Sequence, residues 1–484
     1  MGGFFGAVSN TDCVCDLYYG TDYHSHLGTK RGGLALQSAD GNFTRKIHDI
    51  SNAQFRSKFD NDIPQFTGVA GIGSISDGED QPLLISSKFG TFALVTVGKI
   101  NNIDKIVSKA FEAGHTHLSE TADGELNPTE IVAMLICSKN SLVEGIEYAQ
   151  KVIDGSCSLL VLLDKKIYAA RDRYGRTPVI IGKKEGSRAV TMETTAFPNL
   201  DFVLDRELGP GEIVEMTYDD AKTLVAPGKT MKVCSFFWVY YGYPSSIYEG
   251  ITTEVARYRN GTLLAEDDRD MLDSIDTICG IPDSGIPHAI GYSIAAGTPY
   301  QRAFVKYTPT WPRSFMPQNQ KLRDLVARMK LIPICDLIRG KRLLFCDDSI
   351  VRGTQFKDIA RRLYERGAKE VHMRSASPPL AFPCMFLNFS RSKSTLDLAA
   401  RRVINTLEGG EPDDVALKEY TTAGTERYNR MVDEIRKNLG LTTLKYQSIE
   451  NLIKAIGLPK DQVCTYCFDG EDPTGCCENC PCHK

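Results

Sequence analysis

The sequence predicts an α/β protein built from two different architectures: a mixed α/β or α+β half over residues 1–228, and a parallel-sheet α/β half from 229 onward. In the first half, short β-rich runs such as Phe92 to Val97 and Ser158 to Asp164 alternate with turn residues. Two helical stretches interrupt them, near Ile103 to Ala113 and Thr129 to Leu135. In the second half, strands alternate with helices, the pattern of a sheet covered on both faces. Arg342 to Ala360 shows one strand-to-helix junction in full: R-L-L-F-C-D-D-S-I-V-R-G-T-Q-F-K-D-I-A.

Composition sets the bounds. A chain of 484 residues has room for two or three domains with proper cores. A net charge of -4 gives no electrostatic footprint for nucleic acid. No apolar run approaches the ~18 to 20 residues of a membrane span. The N-terminus lacks a basic segment and a signal-peptide core, so a cytoplasmic protein is expected. Gly6 stands where a myristoylation pattern wants Ser or Thr.

In the junction, Leu343 to Cys346 reads as a buried strand, and Phe356, Ile359, Ala360, Leu363 and Tyr364 recur at helical spacing. Between them lies an anion cradle, where backbone N–H groups and the helix dipole favour a phosphate. Gly353 allows close approach, Ser349 and Thr354 supply hydroxyls, and Arg352 is a nearby cation. Asp347 and Asp348 can accept from a ribose diol or lie near a Mg²⁺ that binds pyrophosphate. A bare D-D-S is more often a solvated turn; the flanking strand and helix give it meaning. The string resembles the phosphoribosyl-pyrophosphate (PRPP) motif of type I phosphoribosyltransferases. In its long form it is similar to V-D-D-S-I-V-R-G-T of the amidophosphoribosyltransferase family.

That resemblance extends along almost the whole chain. Ile281-Pro282-Asp283-Ser284-Gly285 resembles P-x-P-D-S-G, the loop that receives pyrophosphate; alone it would be a turn. The resemblance implies PRPP binding by Asp283, Ser284, Gly285, Ser349, Ile350, Val351, Arg352, Gly353 and Thr354, with Mg²⁺ near Ser284, Asp347 and Asp348. Lys306 to Gln320, with three prolines, Trp311 and Phe315, reads as a long loop. It is similar to the family's lid at Lys306, Arg313, Phe315, Pro317 and Gln320, but not at its centre, Tyr307 to Pro312. Lys306 and Arg313 would neutralise the leaving pyrophosphate beside the acid pair. The bland alternative is a partner-binding loop.

The first half carries the family's glutaminase frame without its chemistry. Arg171 to Pro178 and Leu208 to Glu212 are similar to R-D-P-x-G-x-R-P and L-x-P-G-E of an N-terminal-nucleophile (Ntn) hydrolase, an αββα sandwich. The family opens C-G-x-x-G; here Gly2 stands at the nucleophile position, before Gly3-Phe4-Phe5-Gly6. The substrate clamp reads Gly71 to Asp77, the oxyanion motif Thr96 to Ile100, and the amine anchor Asn127 to Glu130. Neither Cys13 nor Cys15 is followed by the required frame.

The chain has 15 cysteines, six of them between residues 464 and 484. This is the usage of a metal or cluster site more than of a secreted disulfide domain. Cys234, Cys384, Cys464 and Cys467 stand in motifs of a family subset that carries a [4Fe–4S] cluster; from spacing alone C-x-x-C also suits zinc. Cys476, Cys477, Cys480, Cys482 and His483 match no pattern, and are either a second metal site or a thiol-rich end. Cys137, Cys157, Cys279, Cys335 and Cys346 read as core, and His24, His26 and His48 as structural.

The expected division is a glutaminase-type domain (1–228), a type I phosphoribosyltransferase domain with a doubly wound parallel sheet (229–400), a helical extension (401–455) and a Cys-rich tail (456–484). The implied activity is Mg²⁺-dependent conversion of PRPP to 5-phosphoribosylamine and pyrophosphate, the first step of purine synthesis, in a dimer or tetramer. Ammonia, free or from a partner, would replace glutamine. The alternatives are another amine acceptor, or a non-catalytic sensor of PRPP or nucleotides.

Overall fold

In the computed structural model the residues described are 2–114, 118, 121–122, 125–307, 330–387, 394–472 and 474. Two antiparallel sheets face each other in the first half. One has seven strands, with Gly3–Ser9 at its centre between Ser187–Thr191 and Ala70–Ser76. The other has six, centred on Lys166–Ala170, Gly155–Leu163 and Gly90–Ile100. Strand residues on the inner faces, among them Phe5, Ile72, Val95 and Leu160, are wholly buried in one core. Outside lie the helix Val14–Asp22 against the first sheet and Ile103–Glu112, Pro128–Cys137 and Leu142–Val152 against the second. Helix, sheet, sheet and helix make the expected αββα layers. The helix Leu142–Val152 adds to the two expected in this region, and its start was written in the chain as S-x-x-E. The Ser141 side chain accepts from the Glu144 N–H at 3.2 Å, one half of a capping box.

The second half contains a four-stranded parallel sheet ordered Thr277–Gly280, Arg342–Asp347, Glu370–Ser375 and Thr443–Tyr446. Alternation along Arg342–Asp347 sends Leu343 and Phe345 into one core and Leu344 and Cys346 into another, so both faces are covered. Helices Thr253–Glu266 and Ile286–Ala296 lie on one side; Thr354–Glu365, Ala399–Glu408 and Glu426–Leu439 lie on the other. The stretch expected to be a helical extension thus also supplies the last strand. With four residues, T-L-K-Y shows too little alternation to announce itself. Among the described residues no helix is long and apolar enough to cross a membrane.

His24 is wholly buried, with its ring against the Gly20 carbonyl (2.9 Å) and the Thr191 hydroxyl (3.0 Å), a structural role as expected. Burial lowers its pKa from 6.5 to about 4. The unfolded chain therefore takes up this proton first, and the His24 contribution is lost as pH falls from 6.5 toward 4. Its loss is worth on the order of 3 kcal/mol. Denaturant titrations of the wild type and His24→Gln across that range should show a shallower pH slope in the variant.

Candidate functional site

Asp347 ends its strand and Asp348 follows; both are 6% exposed. Ser284 Oγ donates to Asp347 Oδ1 at 3.4 Å, and Ser349 Oγ to Asp348 Oδ1 at 2.5 Å. Burial, then the charge of Asp348, pushes the Asp347 carboxyl well above its usual range; burial raises Asp348 as well. Arg257, itself 3% exposed, opposes this at Asp348, and its guanidinium donates to the carbonyls of Trp238, Tyr240 and Gly242 (2.7 to 3.1 Å). Two carboxyl groups crowded under burial form a site that a divalent cation would relieve.

The loop after the pair is fixed by apolar anchors and by its backbone. Ile350 is buried, and the Val351 and Arg352 carbonyls accept from Ala399 N (2.8 Å) and Arg402 Nη2 (2.6 Å). Gly353 adopts φ +74° and begins the helix Thr354–Glu365, where free N–H groups are presented. The Arg352 side chain is 57% exposed and 3.9 Å from Asp397. The loop Pro282 to Gly285 lies close because Gly285 has no side chain: a Cβ there would sit 2.3 Å from the Cys346 carbonyl oxygen. Asp283, 65% exposed, pairs with Lys306 Nζ at 2.5 Å. Lys306 ends a short strand, Phe304–Lys306; Arg313 and the other lid positions lie outside the described residues.

Pro282, Ser284, Asp347, Asp348, Ser349 and Val351 to Thr354 line a cavity of about 750 Å³. Cys234, Cys384, Cys464, Cys467 and Arg176 line the same cavity, as do the aromatic side chains of Tyr241, Phe382 and Phe386. The cysteines come together through a parallel pairing of Val233–Cys234 with Val463–Cys464, and through the Cys467 carbonyl, which accepts from Ala381 N and Phe382 N. Burial pushes the thiols of Cys234, Cys464 and Cys467 up. Among the described residues no group of three or more His, Cys, Asp or Glu side chains forms a site for a metal ion as placed. Cys476, Cys477, Cys480, Cys482 and His483 lie outside the described residues. Cys157, Cys279 and Cys346 are core and Cys137 is half-buried, but Cys335 is exposed. It opens a one-turn helix, Cys335–Leu337, just past the short strand Leu331–Pro333, so its apolar sequence neighbours do not carry it inward.

At the expected glutaminase position, Gly2 is buried, and a Cβ there would meet the Ile75 carbonyl oxygen at 2.3 Å. Gln81 pairs its side-chain amide with the Thr96 backbone (2.7 and 3.2 Å), and the Thr96 and Thr129 hydroxyls are 2.7 Å apart. The Asn127 side chain caps Thr129 N. Cys13 is buried with its thiol raised by burial, whereas Cys15 is exposed. Arg257 and Tyr241 escaped the sequence reading, since nothing in E-V-A-R-Y or W-V-Y-Y marks a residue as facing a site.

Residues 72–199 match a glutamine amidotransferase domain. The amidophosphoribosyltransferase of Methanocaldococcus jannaschii is 30% identical, over 98% of this chain and 98% of its own length. That of Methanothermobacter thermautotrophicus is 28% identical, over 98% and 94%. The structure of glutamine PRPP amidotransferase from Bacillus subtilis, complexed with ADP and GMP, superposes with a TM-score of 0.81 at 28% identity, covering 97% of each chain. Sequence likeness over the full length and the same pair of domains agree, and the chain belongs to the amidophosphoribosyltransferases, a family of phosphoribosyl-transferring enzymes.

Proposed function

We propose that the chain transfers the phosphoribosyl group of PRPP to ammonia, free or delivered by a partner, and that it does not hydrolyse glutamine. The observation that carries the transferase reading is the buried acid pair, set between the Pro282 to Gly285 loop and a helix N-terminus. The N–H groups and hydroxyls from Ser349 to Thr354 would hold the 5′-phosphate, and Asp347 and Asp348 the ribose hydroxyls. Mg²⁺, for which Ser284, Asp347 and Asp348 offer an all-oxygen set, would offset charge on the leaving group. The C1–O bond breaks with its electron pair leaving on pyrophosphate, and the ammonia lone pair forms the new C1–N bond. The ammonium product then gives a proton to solvent. Lys306, freed from Asp283, would face the pyrophosphate. Catalysis here is positioning and electrostatics.

The absence of a nucleophile at Gly2, and the Gln81 amide already occupying the Thr96 backbone, support loss of the glutaminase step. The donor set of four thiols around one cavity fits a polynuclear iron–sulfur group filling the space between them. Zinc, which four thiolates also suit, is the alternative occupant. Cys234, Cys384, Cys464 and Cys467 would hold such a group, and it would join the tail to both halves. A second reading is transfer to a different amine, supported by the centre of the lid string, Tyr307 to Pro312, which departs from the family's pattern.

The test is pyrophosphate release from PRPP and Mg²⁺ with ammonium or glutamine. Release with ammonium alone is expected, and Gly2→Cys should gain no release with glutamine, because the clamp and oxyanion donors are missing too. Release by wild type with glutamine would overturn the reading. Silence with both, alongside PRPP binding, would favour another acceptor or a sensor.

A further inference from the structure

We propose that Arg176 is a positioning residue of the four-cysteine site, holding Cys464 and setting the reduction potential of the group bound there, and that the first half thereby serves as the mount of that site. The inference rests on the iron–sulfur reading above.

The string Arg171 to Pro178 is a rigid bracket. The Asp172 carboxylate accepts from the backbone N–H groups of Tyr174, Arg176 and Thr177 (3.0 to 3.2 Å). The Arg171 guanidinium, 1% exposed, ties the same turn to the Gly175, Thr177 and Leu208 carbonyls and to Glu249. Projected from this bracket, Arg176 is also 1% exposed. Its Nη1 donates to Cys464 Sγ at 3.2 Å, and its Nη2 to Asp472 Oδ1 (3.2 Å) and Thr474 Oγ1 (3.0 Å). The guanidinium carbon lies 3.3 Å from the centre of the Phe386 ring.

The same half reaches two more of the cysteines. The Arg176 carbonyl accepts from Cys234 N at 3.1 Å, and Lys99 Nζ donates to the Cys384 carbonyl at 3.2 Å. Asn101 Nδ2 holds the next carbonyl, that of Met385, at 2.9 Å. Lys99 and Asn101 stand in and just after Thr96 to Ile100, the string at the place of the family's oxyanion motif. Strings with no glutamine to serve thus support three of the four cysteines.

The electrostatic consequence has a definite sign. Reduction adds one electron to an already anionic set of thiolates and sulfides. A buried cation donating to one thiolate stabilises the reduced form and raises the potential. Asp472, on the other side of the same guanidinium, partly offsets that charge and lowers it.

The full-length chain, reconstituted with iron and sulfide under anaerobic conditions, gives the test: iron and sulfide content, then a redox titration followed by electron paramagnetic resonance. Arg176→Met should lower the midpoint by a tenfold change in the reduction equilibrium, ~59 mV for one electron. Arg176→Lys should recover part of this, and Asp472→Asn should move the midpoint upward. Opposite signs in two variants that both loosen the tail cannot come from loosening. Shifts of the same sign, or none, in cluster-loaded variants would overturn the role of Arg176. Wild-type protein that takes up no iron would instead overturn the iron–sulfur reading, and the inference with it.

Discussion

Replacing Asp347 and Asp348 together by asparagine is expected to cut ammonium-dependent pyrophosphate release by roughly 10³-fold or more, since ribose and cation contacts are lost together. The same change should raise the thermal midpoint of the ligand-free protein. Both carboxyls are buried, and Asp347 is held well above its ordinary range by burial and by its neighbour. Its folded-state pKa exceeds the unfolded one, so at neutral pH the fold bears a penalty that appears as pH rises above 3.8. Asparagine removes the charge and keeps the shape. Calorimetry beside the activity assay checks both halves of the prediction. A variant that loses activity and stability together would show the pair to be a fold element.

The second large effect lies at the same, C-terminal end of the parallel sheet, where Arg374 stands in register with Cys346. Arg374 and Asp268 are both fully buried and joined through Arg374 Nε. Asp268 also accepts from Tyr292 OH (2.8 Å) and Lys445 Nζ (2.6 Å), and Arg374 Nη1 reaches Thr443 Oγ1 on the last strand (3.0 Å). Arg374→Met leaves the aspartate, among the described residues, with half-exposed Lys445 as its ion-pair partner. A loss of about 3–5 kcal/mol is expected, toward the lower end because Lys445 remains. Urea unfolding measures it. The double change Arg374→Met with Asp268→Leu should regain most of the loss, as apolar replacement of a whole buried pair commonly does.

How much of this was legible in the chain differs by residue. The strand, acid pair and helix from Arg342 to Glu365 could be read directly, because periodicity and turn chemistry are local. So could the strands Gly90–Ile100 and Gly155–Leu163, within a few residues at each end. The S-x-x-E string at Ser141 and Glu144 is equally local and marks the start of Leu142–Val152. Arg257 could not be found at all: its partners are backbone carbonyls of a neighbouring segment, and a carbonyl has no sequence. The convergence of Cys234, Cys384, Cys464 and Cys467 on one cavity is likewise a property of packing, and only the resemblance to a family brought them together beforehand.

The two-residue parallel ladder between Val233–Cys234 and Val463–Cys464 has a consequence for how the molecule is made. Its partners are about 230 residues apart, so closing it is among the longest-range events in folding and carries a late entropic cost. On a ribosome the αββα half and most of the parallel sheet can form while the final strand of that ladder is still unsynthesised. A chain broken off between residues 384 and 463 would hold Cys234 and Cys384 without the strand Val463–Cys464 that pairs beside Cys234. Completion of the four-thiol set is therefore a report that synthesis has passed residue 467. Nascent-chain arrest at successive lengths should show Cys234 reacting with a bulky thiol reagent until the tail emerges, and resisting it afterward.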